Sequence, residues 1–427
     1  MAARATPTTA AAAAAVVSYT WEGKQLEGSS LSAVPSPSSS SVPEAAAVIV
    51  SGSSTKAICA ALEQIREASP QTFTIVHSPQ VSNSARGRLD CFASGARMLA
   101  HSAACVEKGL QSVMGQFETN AAPGVVVYSC PACALAGLSE SALRLHFPLY
   151  HSMEMPGPVH DCPICCEETG YGEAGKGSSS KEEENKIKSS PQFRGPFAVH
   201  LHNEHGPEEE REPAFPAFSA FSWVICRRPS DGKVLLCHEP AAIAGGKPNY
   251  WFPAGRVDEG ETFLMAGERE TLEEAGVKAK VKGVLVFKLG GGLVPRVVLY
   301  AEPFENREEE AGEEEAGAGV TCGAPKSLPK SVPDFESCGA CWLDVSQLDD
   351  LTDRDYRGGG TAELYRAVAS GELTPLPLDT PSFAALEEMV QRLTKDDAFL
   401  MDKWLAEIER VWALLEKDYA VERLEME

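Results

Sequence analysis

The chain has 427 residues, 43% of them hydrophobic, and a formal net charge of −23. This length suits two or three domains with ordinary cores, and the strong negative charge disfavours nonspecific binding to nucleic acid or to anionic membranes. Thirteen cysteines without a secretory signal indicate a reducing compartment, cytoplasmic or nuclear, where thiols bind metal rather than form disulfides. Organellar targeting stays open, and the apolar runs are shorter than the ~20 residues of a membrane span.

The N-terminal part divides into a tail and a small domain. Residues 1–43 are rich in Ala, Ser and Pro, which predicts a disordered tail. Residues 44–128 predict a small α/β domain of unknown role. The predicted strands are Ala46–Val50, Thr72–His77 and Gly124–Tyr128, and the predicted helices are Thr55–Ala68 and Ala96–Met114.

Residues 129–206 hold two sets of cysteines and histidines. The first set has the spacing C-x2-C-x12-H-x4-H of C2H2 zinc fingers, and the second repeats the C-x2-C and H-x4-H pairs around an insert near 167–195, which we expect to be disordered. His202 is an alternative to His200. Four thiolate and imidazole ligands predict closed, structural Zn2+ sites. The predicted ligands are Cys130, Cys133, His146 and His151, then Cys162, Cys165, His200 and His205.

The charge of these modules bears on their partner. From Tyr128 to Gly206 there are six Lys or Arg and ten Asp or Glu, a net charge of 6 − 10 = −4. DNA-binding fingers need a basic face, so a structural role or a protein partner is favoured over nucleic acid. The alternative is buried cysteines with surface histidines and no metal.

The stretch from Gly255 to Val277 reads GRVDEGETFLMAGERETLEEAGV. Its fixed positions follow the pattern G-x5-E-x7-R-E-x2-E-E-x-G, and this pattern resembles the Nudix box at every one of them. Thr271 stands at one of the two usually aliphatic positions, and Val277 fits the other. The matching residues are Gly255, Glu261, Arg269, Glu270, Glu273, Glu274 and Gly276.

The spacing also has a physical interpretation. Residues 262–275 predict one helix that ends at Gly276, with Glu270, Glu273 and Glu274 on one face. Three convergent carboxylates suit Mg2+ or Mn2+, and Gly255 lets the backbone approach this ion. We expect Arg269 to orient the carboxylates, Glu261 among them. A solvated Glu-rich helix would explain neither the glycines nor the register.

The flanking sequence predicts strands. Phe218–Arg228 and Lys233–His238 resemble a hairpin with a Pro-Ser-Asp-Gly turn, and further strands are predicted at Lys280–Leu289, Pro295–Ala301 and Cys338–Val345. The resemblance implies a Nudix-type α/β/α sandwich at residues 214–394, with a disordered acidic insert near 306–332. In that family a late carboxylate often serves as a further metal ligand or base, and Glu336 is the candidate; an ordinary acid at the end of a loop is the alternative.

The resemblance implies an Mg2+-dependent hydrolase of a nucleoside diphosphate linked to a second group. Residues 251–261 are similar to hydrolases of oxidised guanine nucleoside diphosphates, which makes Arg256 a candidate for phosphate contact and Tyr250 or Trp251 candidates for base stacking. A core position is the alternative for Trp251. The runner-up function is a ligand-sensing or scaffold protein that recruits partners through its zinc modules.

Residues 395–427 carry a helical apolar stripe with Trp404 and Trp412. We expect this amphipathic helix to pack on the preceding domains. The alternative is a helix that binds a protein partner or a second copy of the chain, because two indoles supply a large contact area.

Overall fold

The computed structural model describes 15 segments of the chain. For residues 15–22, 25–31, 114–118, 160–161, 168–169, 290, 401–405 and 421–423 it describes the backbone alone. Most of the two expected inserts, near 167–195 and 306–332, lies outside the described residues, which omit 170–196 and 305–327; residues 168–169 and 328–332 are described. The described segments are 15–22, 25–31, 47–52, 54–118, 126–133, 135–152, 160–165, 168–169, 197–207, 219–240, 249–290, 294–304, 328–395, 401–419 and 421–423.

The elements of the first half, in chain order, are β1 Ala15–Glu22, β2 Gln25–Leu31, β3 Ala47–Ser51, α1 Thr55–Ala68, β4 Phe73–Val76, α2 Pro79–Ser82, α3 Ala85–Ser94, β5 Met98–Leu99, α4 Ala103–Glu118, α5 Glu140–His151, β6 His160–Asp161, β7 Glu168–Thr169 and α6 Phe197–His205. Those of the second half are β8 Phe221–Cys226, β9 Val234–Glu239, β10 Asn249–Trp251, β11 Ala254–Arg256, α7 Phe263–Ala275, β12 Ala279–Gly290, β13 Val294–Pro303, β14 Ala340–Leu343, α8 Thr361–Ser370, α9 Pro381–Leu393, α10 Met401–Asp418 and β15 Val421–Arg423, with short 3-10 turns at Val345–Asp350 and Asp353–Asp355.

The N-terminal domain is one five-stranded sheet in the order β2-β1-β3-β4-β5. Strands β3, β4 and β5 run parallel, and β1 pairs antiparallel with both β2 and β3. Part of the expected tail, residues 15–22 and 25–31, therefore forms strands. The run AVVSYTWE explains the difference, because β-branched and aromatic residues favour extended backbone.

The predicted helix Ala96–Met114 starts too early, since Met98 and Leu99 extend the parallel sheet as β5 and α4 begins only at Ala103. No sequence pattern predicts α3, which begins after an N-cap at Ser84 and ends at Gly95 in a left-handed conformation. The predicted strand Gly124–Tyr128 is an isolated bridge between Tyr128 and Leu138 in its described part.

The second half of the chain has two sheets, β10-β9-β14 and β11-β8-β13-β12-β15. Side chains of β13 alternate between two cores: Val297 and Leu299 face α7, α9 and α10, whereas Val298 faces α8 and α3. Helices therefore cover both faces of the second sheet, which confirms the expected mixed α/β class with a layered sandwich. The hairpin expected from β8 and β9 is wrong, because the two strands belong to different sheets and share one bridge, Arg227 to Val234. Strand β8 pairs instead with β13 and β11.

Helix α10 packs on the core of this domain. Ile408, Val411, Trp412 and Leu415 are all buried together with Phe287 of β12. The described part of the apolar stripe is thus covered within the chain; Phe399, Leu400 and the side chains of Trp404 and Leu405 are outside the described part. Among the described residues no helix combines the length and apolarity that crossing a membrane requires.

Arg88 of α3 joins the N-terminal domain to the second half. Its side chain is 1% exposed, its Nε donates to Nε2 of His238 at 2.8 Å, and its Nη2 donates to the carbonyl oxygen of Ala340 at 3.3 Å. Tyr250 donates its hydroxyl to the carbonyl oxygen of Ala85 across the same contact. Burial and the charge of Arg88 keep the pKa of His238 well below its usual value, so a neutral imidazole accepts from the guanidinium.

Candidate active site and metal clusters

Helix α7 begins and ends where its sequence predicts. The Thr262 hydroxyl caps its N-terminus by accepting from the Met265 N–H, and Gly276 ends it with a φ of 67°. Only glycine adopts this left-handed conformation at little cost. The caps fix the ends of the helix, and the spacing of Glu270, Glu273 and Glu274 places their side chains on one face.

Arg269 is the centre of the hydrogen-bond network on this face. Its Nε and Nη2 donate to the two oxygens of Glu261 at 2.8 and 3.0 Å, and its Nη1 donates to Glu270 and Glu273 at 2.8 and 2.9 Å. Nη2 also donates to the carbonyl oxygen of Arg256 at 2.8 Å. Burial opposes the charge of Arg269, but the surrounding carboxylates raise its pKa above the usual value. One planar guanidinium thus fixes three acids and the strand that carries Gly255.

The carboxylates of Glu270 and Glu274 are held in low-dielectric surroundings. Burial raises the pKa of Glu270 to about 7, against the lowering effect of Arg269. Burial and the charges of Glu239 and Glu270 raise the pKa of Glu274 well above its usual value, and its Oε2 accepts from the Ala254 N–H at 3.0 Å. Neutralisation by a nearby cation would restore both acids to the ionised form.

Gly255 leaves the space that Glu270 occupies. A Cβ at this position would lie 1.8 Å from Oε1 of Glu270 and 2.0 Å from its Cδ. The glycine of the motif is therefore required by close approach of a carboxylate to the strand backbone.

The donor set fits a hard divalent cation. In the hydrogen bonds of the described chain, Glu270, Glu273 and Glu274 each use one carboxylate oxygen, which leaves the second oxygen of each for a ligand. The three do not form a closed cage, because among the described residues only the two Cys/His clusters bring three or more ligand atoms within 4.8 Å of one another. An open set of oxygens suits Mg2+, which keeps several of its waters.

Two further acids lie beside this set. Glu336 is 24% exposed, and burial together with nearby acids, Glu270 and Glu273 among them, raises its pKa to about 8. Glu239, at the end of β9, is 2% exposed and pairs with Arg357 at 3.2 Å. No sequence pattern indicates a role for Glu239, since its neighbours in KVLLCHE predict a buried strand and nothing more.

The predicted substrate-contacting residues occupy different surroundings. Tyr250 is fully buried against α3 and offers no ring face to a base, so burial removes it as a candidate. Trp251 is 8% exposed and packs on Trp223, with the Arg357 guanidinium 5.6 Å from its ring centre. The Arg256 guanidinium lies 3.4 Å from the Asp258 carboxylate. The carbonyl oxygen of Arg256 accepts from Arg269 Nη2, which holds this residue beside the acids. Sequence reasoning missed Arg357, which lies far along the chain.

The structure brings together both predicted Cys/His sets. In the first, Sγ to Nε2 distances are 3.5 Å for Cys130–His151 and 3.4 Å for Cys133–His146, and the two histidine Nε2 atoms are 3.3 Å apart. A tetrahedral zinc with bonds of about 2.3 Å to sulfur and about 2.05 Å to nitrogen gives edges of about 3.5 Å and 3.3 Å. In the second set, Cys162–His205 and Cys165–His200 are each 3.4 Å apart. His202 is not part of either cluster.

Part of the amino-acid sequence matches a known protein family. The NUDIX domain family matches residues 218–364. The putative nudix hydrolase 1 of Caenorhabditis elegans is 27% identical over 143 residues, which are 33% of this chain and 33% of that protein. The chain thus matches about a third of the length of this curated relative.

Solved structures of low identity are also similar. A NUDIX hydrolase from Nitrosomonas europaea has 15% identity and a TM-score of 0.26, with 38% of this chain and 78% of that chain covered. An ADP-ribose pyrophosphatase from Streptococcus suis has 17% identity and a TM-score of 0.24, with 36% and 91% covered. The sequence match over β8 to α8, together with the motif on α7, identifies residues 218–364 as a Nudix domain.

Proposed function

We propose that this protein hydrolyses the pyrophosphate bond of a nucleoside diphosphate linked to a second group, with Mg2+ or Mn2+ as cofactor. The observation that carries the proposal is the set of carboxylates around Arg269. Their negative charges repel one another, so the arrangement lowers stability and is expected only where it serves a function. Glu270 fills the space beside Gly255 that a Cβ would occupy, Arg269 donates to both Glu270 and Glu273, and Glu274 accepts from the Ala254 N–H of the same strand. A protein that only bound partners would gain nothing from such a cluster.

Glu270, Glu273 and Glu274 would hold the cation. When bound, the cation supplies charge neutralisation at the phosphoryl oxygens and acidifies water. Arg269 keeps Glu270 and Glu273 in register by donating to both from Nη1. Glu261 holds the other side of the guanidinium, so it acts on the cluster through Arg269.

Glu336 accepts the proton of the attacking water in this proposal. Its carboxylate is close enough for Glu270 and Glu273 to affect its pKa, which burial raises to about 8. A base with a pKa near the working pH transfers protons efficiently.

Two cationic side chains are available for the substrate phosphates. Arg357 is 45% exposed at its side chain, lies over Trp251 and pairs with the buried Glu239. Arg256 is bound to the same network through its carbonyl oxygen. The likeness of residues 251–261 to hydrolases of oxidised guanine nucleotides adds these compounds to the candidate substrates.

The test is hydrolysis of a panel of nucleoside diphosphate derivatives, ADP-ribose and oxidised guanine nucleoside diphosphates among them, with Mg2+. We expect turnover of at least one compound and its loss in Glu273→Gln. The matched control is Glu268→Gln, because Glu268 lies on the same helix but accepts from Val281 N–H and pairs with Lys280. No turnover of any compound by the folded protein, or full activity of Glu273→Gln, would refute the proposal and favour a scaffold.

We also infer that each Cys/His cluster binds one structural Zn2+. The support is the match between the sulfur–nitrogen distances and the edges of a tetrahedral site. The two modules share a core that includes Leu143 and Phe197 beside Cys130 and Cys162. Such a small apolar core needs a metal to be stable.

A further inference from the structure

The segment that carries Glu336 is attached to the C-terminal end of the Nudix helix α7. We call residues 330–338 the Glu336 segment. Its Lys330 N–H donates to the carbonyl oxygen of Ala275 at 2.7 Å, and Lys330 Nζ donates to the carbonyl oxygen of Glu273 at 2.7 Å. Ser337 donates to the carbonyl oxygen of Glu274. These contacts hold one side of the segment.

The other side of the Glu336 segment touches both Cys/His modules. The His202 ring of α6 stacks on Phe335, the neighbour of Glu336, with ring centres 3.7 Å apart and an interplanar angle of 18°. Val332 packs against a cluster that contains Leu149 and Tyr150 of α5 together with residues of the N-terminal sheet, and the Cys338 thiol lies within hydrogen-bonding reach of Ser152, the residue after α5. The helices α5 and α6 are the two that carry the predicted histidine ligands.

The Glu336 segment has no regular structure of its own. Residues 328–339 form neither helix nor strand, so contacts on both sides determine where Glu336 lies. Helices α5 and α6 have 12 and 9 residues, and helices this short are unstable alone in water. Their rigidity therefore depends on apolar packing and on the Cys/His clusters to which their histidines belong.

We propose that the two zinc modules act as an internal clamp that positions Glu336 for catalysis, with His202 as the positioning residue. This inference rests on the proposed function, because Glu336 is there the proton acceptor. It also assigns the modules an intramolecular partner, because their helices pack against the Glu336 segment of the same chain. The negative charge of the modules is compatible with this role, which requires ring stacking and apolar packing rather than a basic surface.

The test compares three single variants on the full-length, zinc-loaded chain. His202→Ala removes the stack, His202→Phe keeps a ring of similar shape, and Glu204→Ala changes an exposed residue of the same helix as a control. The measurements are zinc content, hydrogen exchange of peptides that cover the Glu336 segment, and kcat and KM on the substrate found above.

For His202→Ala we expect unchanged zinc content, faster exchange in the Glu336 segment, a kcat lower by about tenfold and a KM within about twofold. This is less than the 10²–10⁴-fold contribution of a general base, because Ser337 and Lys330 still hold the segment. His202→Phe restores exchange and kcat, and Glu204→Ala matches the parent.

Three results would overturn the clamp. They are normal exchange in His202→Ala, loss of zinc from that variant, and faster exchange with unchanged kcat. Failure of His202→Phe to restore the parent values also counts against stacking. Absence of hydrolysis in the parent protein would refute the proposed function. Hydrogen exchange does not depend on turnover, so the exchange data would still decide whether the His202–Phe335 stack holds the Glu336 segment.

Discussion

Substitution of Gly255 by alanine perturbs the proposed active site at one carboxylate. The new Cβ would lie 1.8 Å from Oε1 of Glu270, 2.0 Å from Cδ and 2.5 Å from Oε2. Real contacts of this kind stay beyond 3.0 Å, so the carboxylate has to move by at least about 1.2 Å or the strand has to shift. Misplacement of a catalytic group by about 1 Å costs about 10²-fold. We therefore expect kcat/KM to fall by about 100-fold or more.

The assay is steady-state hydrolysis with Mg2+ titrated to saturation, beside urea unfolding to establish that the variant is folded. The matched control is Gly359→Ala, since a Cβ there meets nothing within 4 Å and the backbone needs no positive φ. It should keep the parent activity. A Gly255→Ala variant that retains kcat/KM within about threefold would show that Glu270 does not need its observed place beside the strand.

Three further predictions concern Arg269, the Cys/His clusters and Glu387. Arg269→Lys loses the planar fork that reaches Glu261, Glu270 and Glu273 together, so activity should fall at least tenfold and stability by about 1–3 kcal/mol; equal activity would contradict its orienting role. The purified protein should contain two Zn2+ per chain by elemental analysis, and one after Cys133→Ser; a zinc-free folded protein rules the clusters out. Burial raises the pKa of Glu387 to about 7 although Phe263 N–H donates to its carboxylate. The folded state therefore binds the extra proton between pH ~4.5 and ~7, and stability decreases as pH rises through this range. Glu387→Gln should remove this decrease. In urea unfolding, the free energy of unfolding of the variant should exceed that of the parent by up to about 3 kcal/mol at pH 8 and by little at pH 4.5. A gain that is independent of pH would contradict the assignment.

Helix α7 could be predicted closely because its signals are local. Capping by Thr262, the left-handed Gly276 and the spacing of the acids all act within one stretch of about twenty residues. The first Cys/His set is also local, within Cys130–His151, whereas the second consists of a C-x2-C pair and an H-x4-H pair, separated by 34 residues, that the fold brings together. Helix α1 likewise agrees with its prediction at both ends.

Pairing between distant strands could not be predicted in this way. The turn after Arg228 suggested a hairpin, yet β8 pairs with β13, about seventy residues later. The buried pattern of β8 is compatible with either partner, and competition among whole strands decides between them. Arg88 illustrates the same limit. Its hydrogen-bond partners, His238 and the carbonyl oxygen of Ala340, belong to another domain, and the residues next to Arg88 in the sequence do not indicate them.

Glu239 shows why the acid set of the site was incomplete from sequence alone. A carboxylate at the end of an apolar strand predicts a surface residue, whereas here it is 2% exposed and pairs with Arg357, 118 positions along the chain. Burial raises the pKa of Glu239, and the Arg357 guanidinium opposes that effect. Its charge in turn helps to raise the pKa of Glu274. A cation bound among these acids would relieve repulsion at Glu239 as well as on α7, so the electrostatic reason for metal binding extends beyond the sequence motif to residues that only the fold brings near it.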